Sequence, residues 1–192
     1  MNLAIFGGTF DPIHCAHLTV AREAADAFEL DRVLFVPAAN PPHKSGTLTS
    51  YEDRFRMVEI ACAADSRFSA SRLEEGTGKS YSILTIERVR ATLGRRDALY
   101  FIIGADAFAE VTSWYRWGEV IRLVEFLVVT RPGHEYSIPQ GARGWPLDTL
   151  ALPVSSSDIR SELADGRHPV QLPEPVFDFI RAHGLYQTKY SA

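Results

Sequence analysis

The sequence predicts an α/β fold in which a parallel sheet is covered by helices on both faces. Two observations predict it. Short runs that are mostly apolar, such as RVLFV at 32–36, LYFII at 99–103 and FLVVT at 126–130, read as strands buried on both sides. Between them lie segments with apolar residues at helical spacing, so strands and helices alternate along the chain. The length of 192 residues and the absence of repeats, low-complexity runs or linkers fit one domain over 1–192.

The elements follow in order. Residues 2–6 are short and apolar, a buried strand. Leu18, Ala21, Ala25 and Phe28 fall at helical intervals, and the strand at 32–36 stops at Pro37. The stretch 38–50 contains Pro41, Pro42 and Gly46 and reads as a loop. A helix over 51–64 places Phe55, Val58 and Cys62 on one face. Residues 67–73 alternate like a strand, and 80–93 reads as a helix ended by Gly94. The strand at 99–103 runs into Gly104-Ala105-Asp106, and that at 126–130 into Arg131-Pro132-Gly133. A strand is expected over 150–154, then a helix over 155–164 closed by Gly166. The last helix begins near Pro173 and Pro175, which suit a first turn, and stops at Gly184.

Composition narrows the function classes. Hydrophobic residues make up 46% and charged residues 23%, a globular balance, and the net charge of −4 supplies no basic field for a nucleic-acid polymer. Small phosphorylated ligands need only local positive groups. No stretch approaches the roughly 20 apolar residues that cross a bilayer. Cys15 and Cys62 have no pairing pattern and read as free thiols, so a cytoplasmic protein without a membrane partner is expected.

The chemistry-bearing residues cluster where strands end. In Gly7-Gly8-Thr9-Phe10-Asp11-Pro12-Ile13-His14-Cys15-Ala16-His17, the glycines let the backbone approach a ligand or take a positive φ. Free N–H groups at the following helix start suit an anion. His14 and His17, three residues apart, share one face and can donate to phosphate oxygens; the plainer alternative is a tight turn with two surface histidines. As a metal site the pair lacks a third ligand, because no Cys/His cluster at metal spacing appears elsewhere. The second cluster is Ser155-Ser156-Ser157-Asp158-Ile159-Arg160. A serine caps the helix there, while a cation near its start opposes the dipole unless an anion binds, so Ser155, Ser156 and Arg160 read as a phosphate cradle; the plainer alternative is a helix cap with a solvated arginine. Gly76-Thr77-Gly78-Lys79-Ser80 imitates the end of a P-loop, but the required leading glycine is Leu73.

Three further sites flank these. The proline-stiffened loop after the second strand presents Asn40, His43 and Lys44, suited to a phosphate monoester. Asp106 can accept ribose hydroxyls or cap a helix. In Ser113-Trp114-Tyr115-Arg116-Trp117, a tryptophan can stack on a flat ring or belong to the core. No GxSxG and no paired catalytic acids stand out, so the protein is expected to position two substrates and stabilise charge.

Taken together, GGTFDPIH, PPHK, IIGADAF, TSWY, RPG, SSSDIR and LPEPVFDFIRAHGLY, in this order along nearly the whole chain, resemble the nucleotidylyltransferase superfamily with the HxGH signature. Within it the bacterial nicotinate-nucleotide adenylyltransferases are the most similar. The resemblance implies a Rossmann-like doubly wound sheet. It also implies a reaction joining ATP and nicotinate mononucleotide to give nicotinate adenine dinucleotide and pyrophosphate, a step of NAD biosynthesis, by in-line attack without a covalent intermediate.

The resemblance also assigns roles. His14, His17 and Arg160 would be catalytic. Gly7, Gly8, Thr9 and Phe10 would line the ATP cleft, His17 would lie nearest the α-phosphate, and Ser155, Ser156 and Arg160 would hold the outer phosphates. Gly104 and Asp106 would address adenosine. Asn40, His43 and Lys44 would meet the mononucleotide's phosphate and ribose. Ser82, Trp114, Tyr115 and the backbone at Arg131 would meet its pyridine ring and carboxylate. Mg²⁺ would be bound mainly through ATP phosphates, with no protein metal site. A homo-oligomer is compatible with this reading. Nicotinamide mononucleotide as the preferred acceptor, and a catalytically silent nucleotide-binding protein, stay open as alternatives. The chain departs from the signature at Ala16, where the family has glycine, and carries Ser157 where threonine is common.

Overall fold

The computed structural model describes residues 1–40, 48–76, 78–130, 136–148 and 154–187. The chain runs β1 (Asn2–Gly8), α1 (Cys15–Ala27), β2 (Arg32–Pro37), α2 (Tyr51–Cys62), β3 (Phe68–Ala70), α3 (Ser82–Arg90), β4 (Ala98–Gly104), α4 (Ala105–Ala109), a 3-10 turn (Val111–Ser113), α5 (Trp117–Leu123), β5 (Glu125–Thr130), β6 (Gly144–Asp148), α6 (Ser156–Ala164) and α7 (Glu174–Ala182). The six strands form one sheet in the order β3-β2-β1-β4-β5-β6, every pair parallel. This is the expected doubly wound sheet. The chain winds outward from β1 to β3, returns to place β4 beside β1, and winds outward again. The crevice at the carboxyl ends of β1 and β4 is therefore the switch point where such folds bind ligands.

Alternation along each strand explains why both faces are covered. Ala4, Ile102 and Leu127 point to one face and join a core with α1, α2, α6 and α7. Leu3, Ile5, Leu99, Phe101, Ile103, Phe126 and Val128 point to the other and pack under α3, α4 and α5. On α2, Phe55, Val58 and Cys62 are all buried, as their spacing requires.

Several boundaries differ from the sequence reading. The strand at 67–73 is only Phe68–Ala70, because the chain then curls into a turn closed by the bond from Glu75 N–H to the Arg72 carbonyl. A strand not foreseen lies at 144–148; the one expected over 150–154 falls outside the described residues except for Val154, which is irregular. Pro146 argues for a loop, yet β6 is an edge strand, where the missing N–H costs no ladder bond. The helix expected from 80 starts at Ser82, since Ser80 is held in reciprocal bonds with Asn40. The helix α5 was not foreseen. Arg116, with φ 56, turns the chain into it and ion-pairs with Glu87 and Glu119.

The carboxyl end of β1 depends on one close approach. Phe10 sits at φ 50 with its ring against the backbone of Gly8, where an added Cβ would lie 2.8 Å from Cζ. The ring cannot retreat, because it is 2% exposed and packs edge-on against Phe6 and His17. Gly8→Ala should therefore lower stability by about 1–3 kcal/mol in urea unfolding, as overpacking typically does. Adding Phe10→Leu should recover part of the loss.

Candidate active site

Two turns meet at the switch point. The first joins β1 to α1. His14 is the N-cap of α1, and the rings of His14 and His17 stack with centroids 3.8 Å apart. The His14 N–H donates to His17 Nδ1 at 3.2 Å. An Nδ1 that accepts carries no proton, so neutral His17 presents an Nε2–H donor. Phe10 backs the His17 ring from below, so it supports the histidine instead of forming an open wall. His14 is 5% exposed, and burial pushes its pKa down to about 4, which leaves it neutral near pH 7. Its Nδ1 is buried without a hydrogen-bond partner among the described residues. Ala16 is the second residue of α1 and half-buried; its methyl does not disturb the helix start.

The second turn is the start of α6, which is fastened to the first. Ser156 Oγ donates to the Pro12 carbonyl at 3.1 Å. Arg160 donates to the Asp11 carbonyl at 2.8 Å and to Ser157 Oγ at 3.1 Å. Ser155 caps α6: its hydroxyl accepts the Asp158 N–H and donates to the Asp158 carboxylate. Arg160 thus has structural partners that offset its place near the helix start. Of its five N–H groups, two serve these bonds.

Asp11 organises this junction. Its buried carboxylate accepts the Leu48 N–H at 2.9 Å, the Thr49 hydroxyl at 2.7 Å and the Tyr186 hydroxyl at 2.6 Å. The last bond ties the chain's C-terminal segment to the first turn, and burial raises the Tyr186 pKa strongly. The Asp11–Pro12 peptide is cis.

An apolar cleft of about 220 Å³ opens beside the two turns. Gly7 and Gly8 of β1, Gly104 at the end of β4, and Ser82 and Trp114 line it. Trp114 stands edge-on to Phe101 at 5.5 Å. Asp106 is exposed in the first turn of α4 and is not in the lining. Tyr115 is also outside it; its ring packs on Tyr81 at 4.7 Å. Asn40 is exposed and exchanges backbone bonds with Ser80 beside the cleft. His43, Lys44 and Arg131 lie outside the described residues.

The structure adds residues that the sequence reading passed over. Glu74 and Thr85 line the cleft, and the Thr85 hydroxyl donates to Glu74 at 2.8 Å. Arg54 is fully buried, and its Nη1 donates to the carbonyls of both Thr9 and Ala38, each at 2.8 Å. A signal existed: Arg54 shares the i, i+4, i+7 stripe of Val58 and Ala61, where a charged residue is out of place.

The buried His14 has a consequence for acid stability. Its folded pKa of about 4 lies below its ordinary value of 6.5. The unfolded chain binds a proton first, so its stabilisation is complete above pH 6.5 and is lost as pH falls toward 4. The loss is on the order of 3 kcal/mol. Urea titrations between pH 7.5 and 4.5 should show this decline, with a shallower slope in His14→Asn.

The comparisons with known proteins agree with this fold. The sequence model of the cytidylyltransferase-like family matches residues 5–162. A probable nicotinate-nucleotide adenylyltransferase of Solibacter usitatus is 60% identical over 97% of this chain and 100% of its own length. One of Exiguobacterium sibiricum is 41% identical over 98% of this chain and 100% of its own. Among solved structures, the Plasmodium falciparum nicotinic acid mononucleotide adenylyltransferase complexed with NaAD superposes with a TM-score of 0.80 at 20% identity, covering 96% of this chain and 97% of that one. Among the described residues, no helix is long and apolar enough to cross a membrane. The chain belongs to the cytidylyltransferase-like family, in the group whose curated members bear the name nicotinate-nucleotide adenylyltransferase.

Proposed function

We propose that this chain, as one domain, transfers the adenylyl group of ATP to nicotinate mononucleotide, giving nicotinate adenine dinucleotide and pyrophosphate in NAD biosynthesis. The observation that carries the reading is the junction of two donor-bearing turns at the switch point. His17 Nε2–H and the remaining N–H groups of Arg160 belong to turns locked together by the Ser156–Pro12 and Arg160–Asp11 bonds. Full-length identity of 60% to a relative of that name supports the same reaction.

In this reading an oxygen of the mononucleotide's 5′-phosphate attacks the α-phosphorus of ATP. The new P–O bond forms as the bond to pyrophosphate breaks, and the electron pair leaves with pyrophosphate. The chain needs no nucleophile of its own; it positions the reactants and offsets charge. His17 donates at the α-phosphate, and neutral His14 stacks on it and holds it in place. Ser156 and Arg160 serve the outer phosphates, with Ser155 as the cap of their helix. Gly7, Gly8 and Thr9 let the triphosphate approach the backbone, and Gly104 and Asp106 face adenosine. Asn40, His43 and Lys44 serve the acceptor's phosphate and ribose, while Ser82, Trp114, Tyr115 and the backbone at Arg131 serve its ring and carboxylate.

Mg²⁺ would come with ATP, held mainly through its phosphates, and would offset their charge. Among the described residues no three His, Cys, Asp or Glu side chains converge, and the Asp11 carboxylate is already taken by three donors. The side chains here suit the phosphates and not a dedicated metal cage. The compartment is the cytoplasm.

Pyrophosphate release with ATP and Mg²⁺ tests the reading. Turnover should be fastest with nicotinate mononucleotide, slower with its amide and absent with phosphopantetheine; no release with either pyridine nucleotide would overturn it. His17→Ala should cut kcat by a factor of hundreds, since one donor at the transition state is worth about 3–4 kcal/mol.

A further inference from the structure

Arg54 is unusual in its surroundings. It is 1% exposed, and among the described residues its two hydrogen-bond partners are neutral carbonyl oxygens. Its Nε is buried and meets no acceptor among the described residues. A guanidinium in that state is strongly unfavourable unless something repays its lost hydration. Holding two carbonyls does not require a charge, because a neutral amide donates as well.

The charges around it suggest the reason. Asp11 is the anion whose field acts on Arg54, and Arg160 is bonded to the Asp11 carbonyl. Among the described residues no carboxylate is bonded to Arg54: Asp11 accepts from Leu48, Thr49 and Tyr186, and Glu74 on the cleft wall accepts from Thr85. The guanidinium therefore keeps its positive charge without a bonded anion before any ligand arrives.

We propose that Arg54 is a buried positioning residue for the phosphate-bearing substrate, whose charge, fixed between the Thr9 and Ala38 carbonyls, primes the cleft for an anion. Thr9 belongs to the β1–α1 turn and Ala38 lines the cleft, so one side chain braces both sides of the site. A fixed charge beneath the site needs no reorganisation when phosphate arrives, and low surrounding polarity strengthens its field. The inference rests on the adenylyl-transfer reading, in which that turn receives the ATP phosphates.

Calorimetric binding of ATP at low and high salt tests it, with folding of each variant checked by circular dichroism. Arg54→Gln keeps a donor and removes the charge; it should bind ATP about tenfold more weakly and with less salt dependence than the unaltered protein. Arg54→Lys keeps the charge and should stay within about threefold of it. Should Arg54→Gln not fold, Arg54→Lys carries the test, because it keeps the charge and should keep the salt dependence of the unaltered protein. Equal ATP affinity in Arg54→Gln and the unaltered protein, equal losses in the Gln and Lys variants, or a roughly tenfold loss in folded Arg54→Lys would each overturn the proposal. Absence of ATP binding by the unaltered protein would instead sink the adenylyl-transfer reading itself.

Discussion

The hydrogen bonds gathered at Asp11 are the constraint on which the site depends. Its carboxylate accepts from the backbone of Leu48 and the hydroxyls of Thr49 and Tyr186, and its carbonyl accepts from Arg160. These partners come from segments distant in sequence: the start of α2, the chain's last described stretch and α6. A buried carboxylate is tolerable only when its oxygens are satisfied, so the three donors and the fold around them stand or fall together. Through this residue the β1–α1 turn acquires a fixed position relative to the start of α6.

Around that point the chain achieves rigidity with few devices. Phe10 lies against Gly8 and beneath His17, so a glycine and an aromatic ring set the height of the His17 ring. The His14 N–H selects the tautomer of His17 through one bond, and the Cys15 N–H donates to the Gln171 carbonyl, steadying the helix start. Ser80 and Asn40 exchange bonds across two loops on the other side of the cleft, and Thr85 holds Glu74. Donors prepared in this way lose little entropy or solvation when a ligand arrives, which is how positioning would become rate in the proposed transfer.

Much of the fold was legible because the signals were local and strong. The runs 32–36, 99–103 and 126–130 are apolar but for Arg32 and Thr130 at their ends, as strands covered on both faces should be. Gly166 and Gly184, at positive φ, end helices where expected. What failed were weak or context-dependent signals. Only the sheet edge makes Pro146 acceptable in a strand, and only the turn after Ala70 shortens β3. The helix α5 begins from a left-handed arginine whose ion pairs lie 29 and 3 residues away in sequence. Arg54 was passed over because a charge on an apolar stripe has no meaning until its carbonyl partners are known.

By itself the sequence determined most of the strands and helices, the two anion-suited turns and the family, since each rests on periodicity, on residue type at short spacing or on ordered motifs. The tertiary structure decided which turns meet, which tautomer His17 takes, and that Ser155, Phe10 and part of Arg160 serve the scaffold. It also decided that Arg54 lies buried beneath the cleft. The physical reason is that hydrogen bonds and burial are satisfied between segments as far apart as Asp11 and Tyr186, and neither spacing nor composition encodes which partner a buried polar group will find.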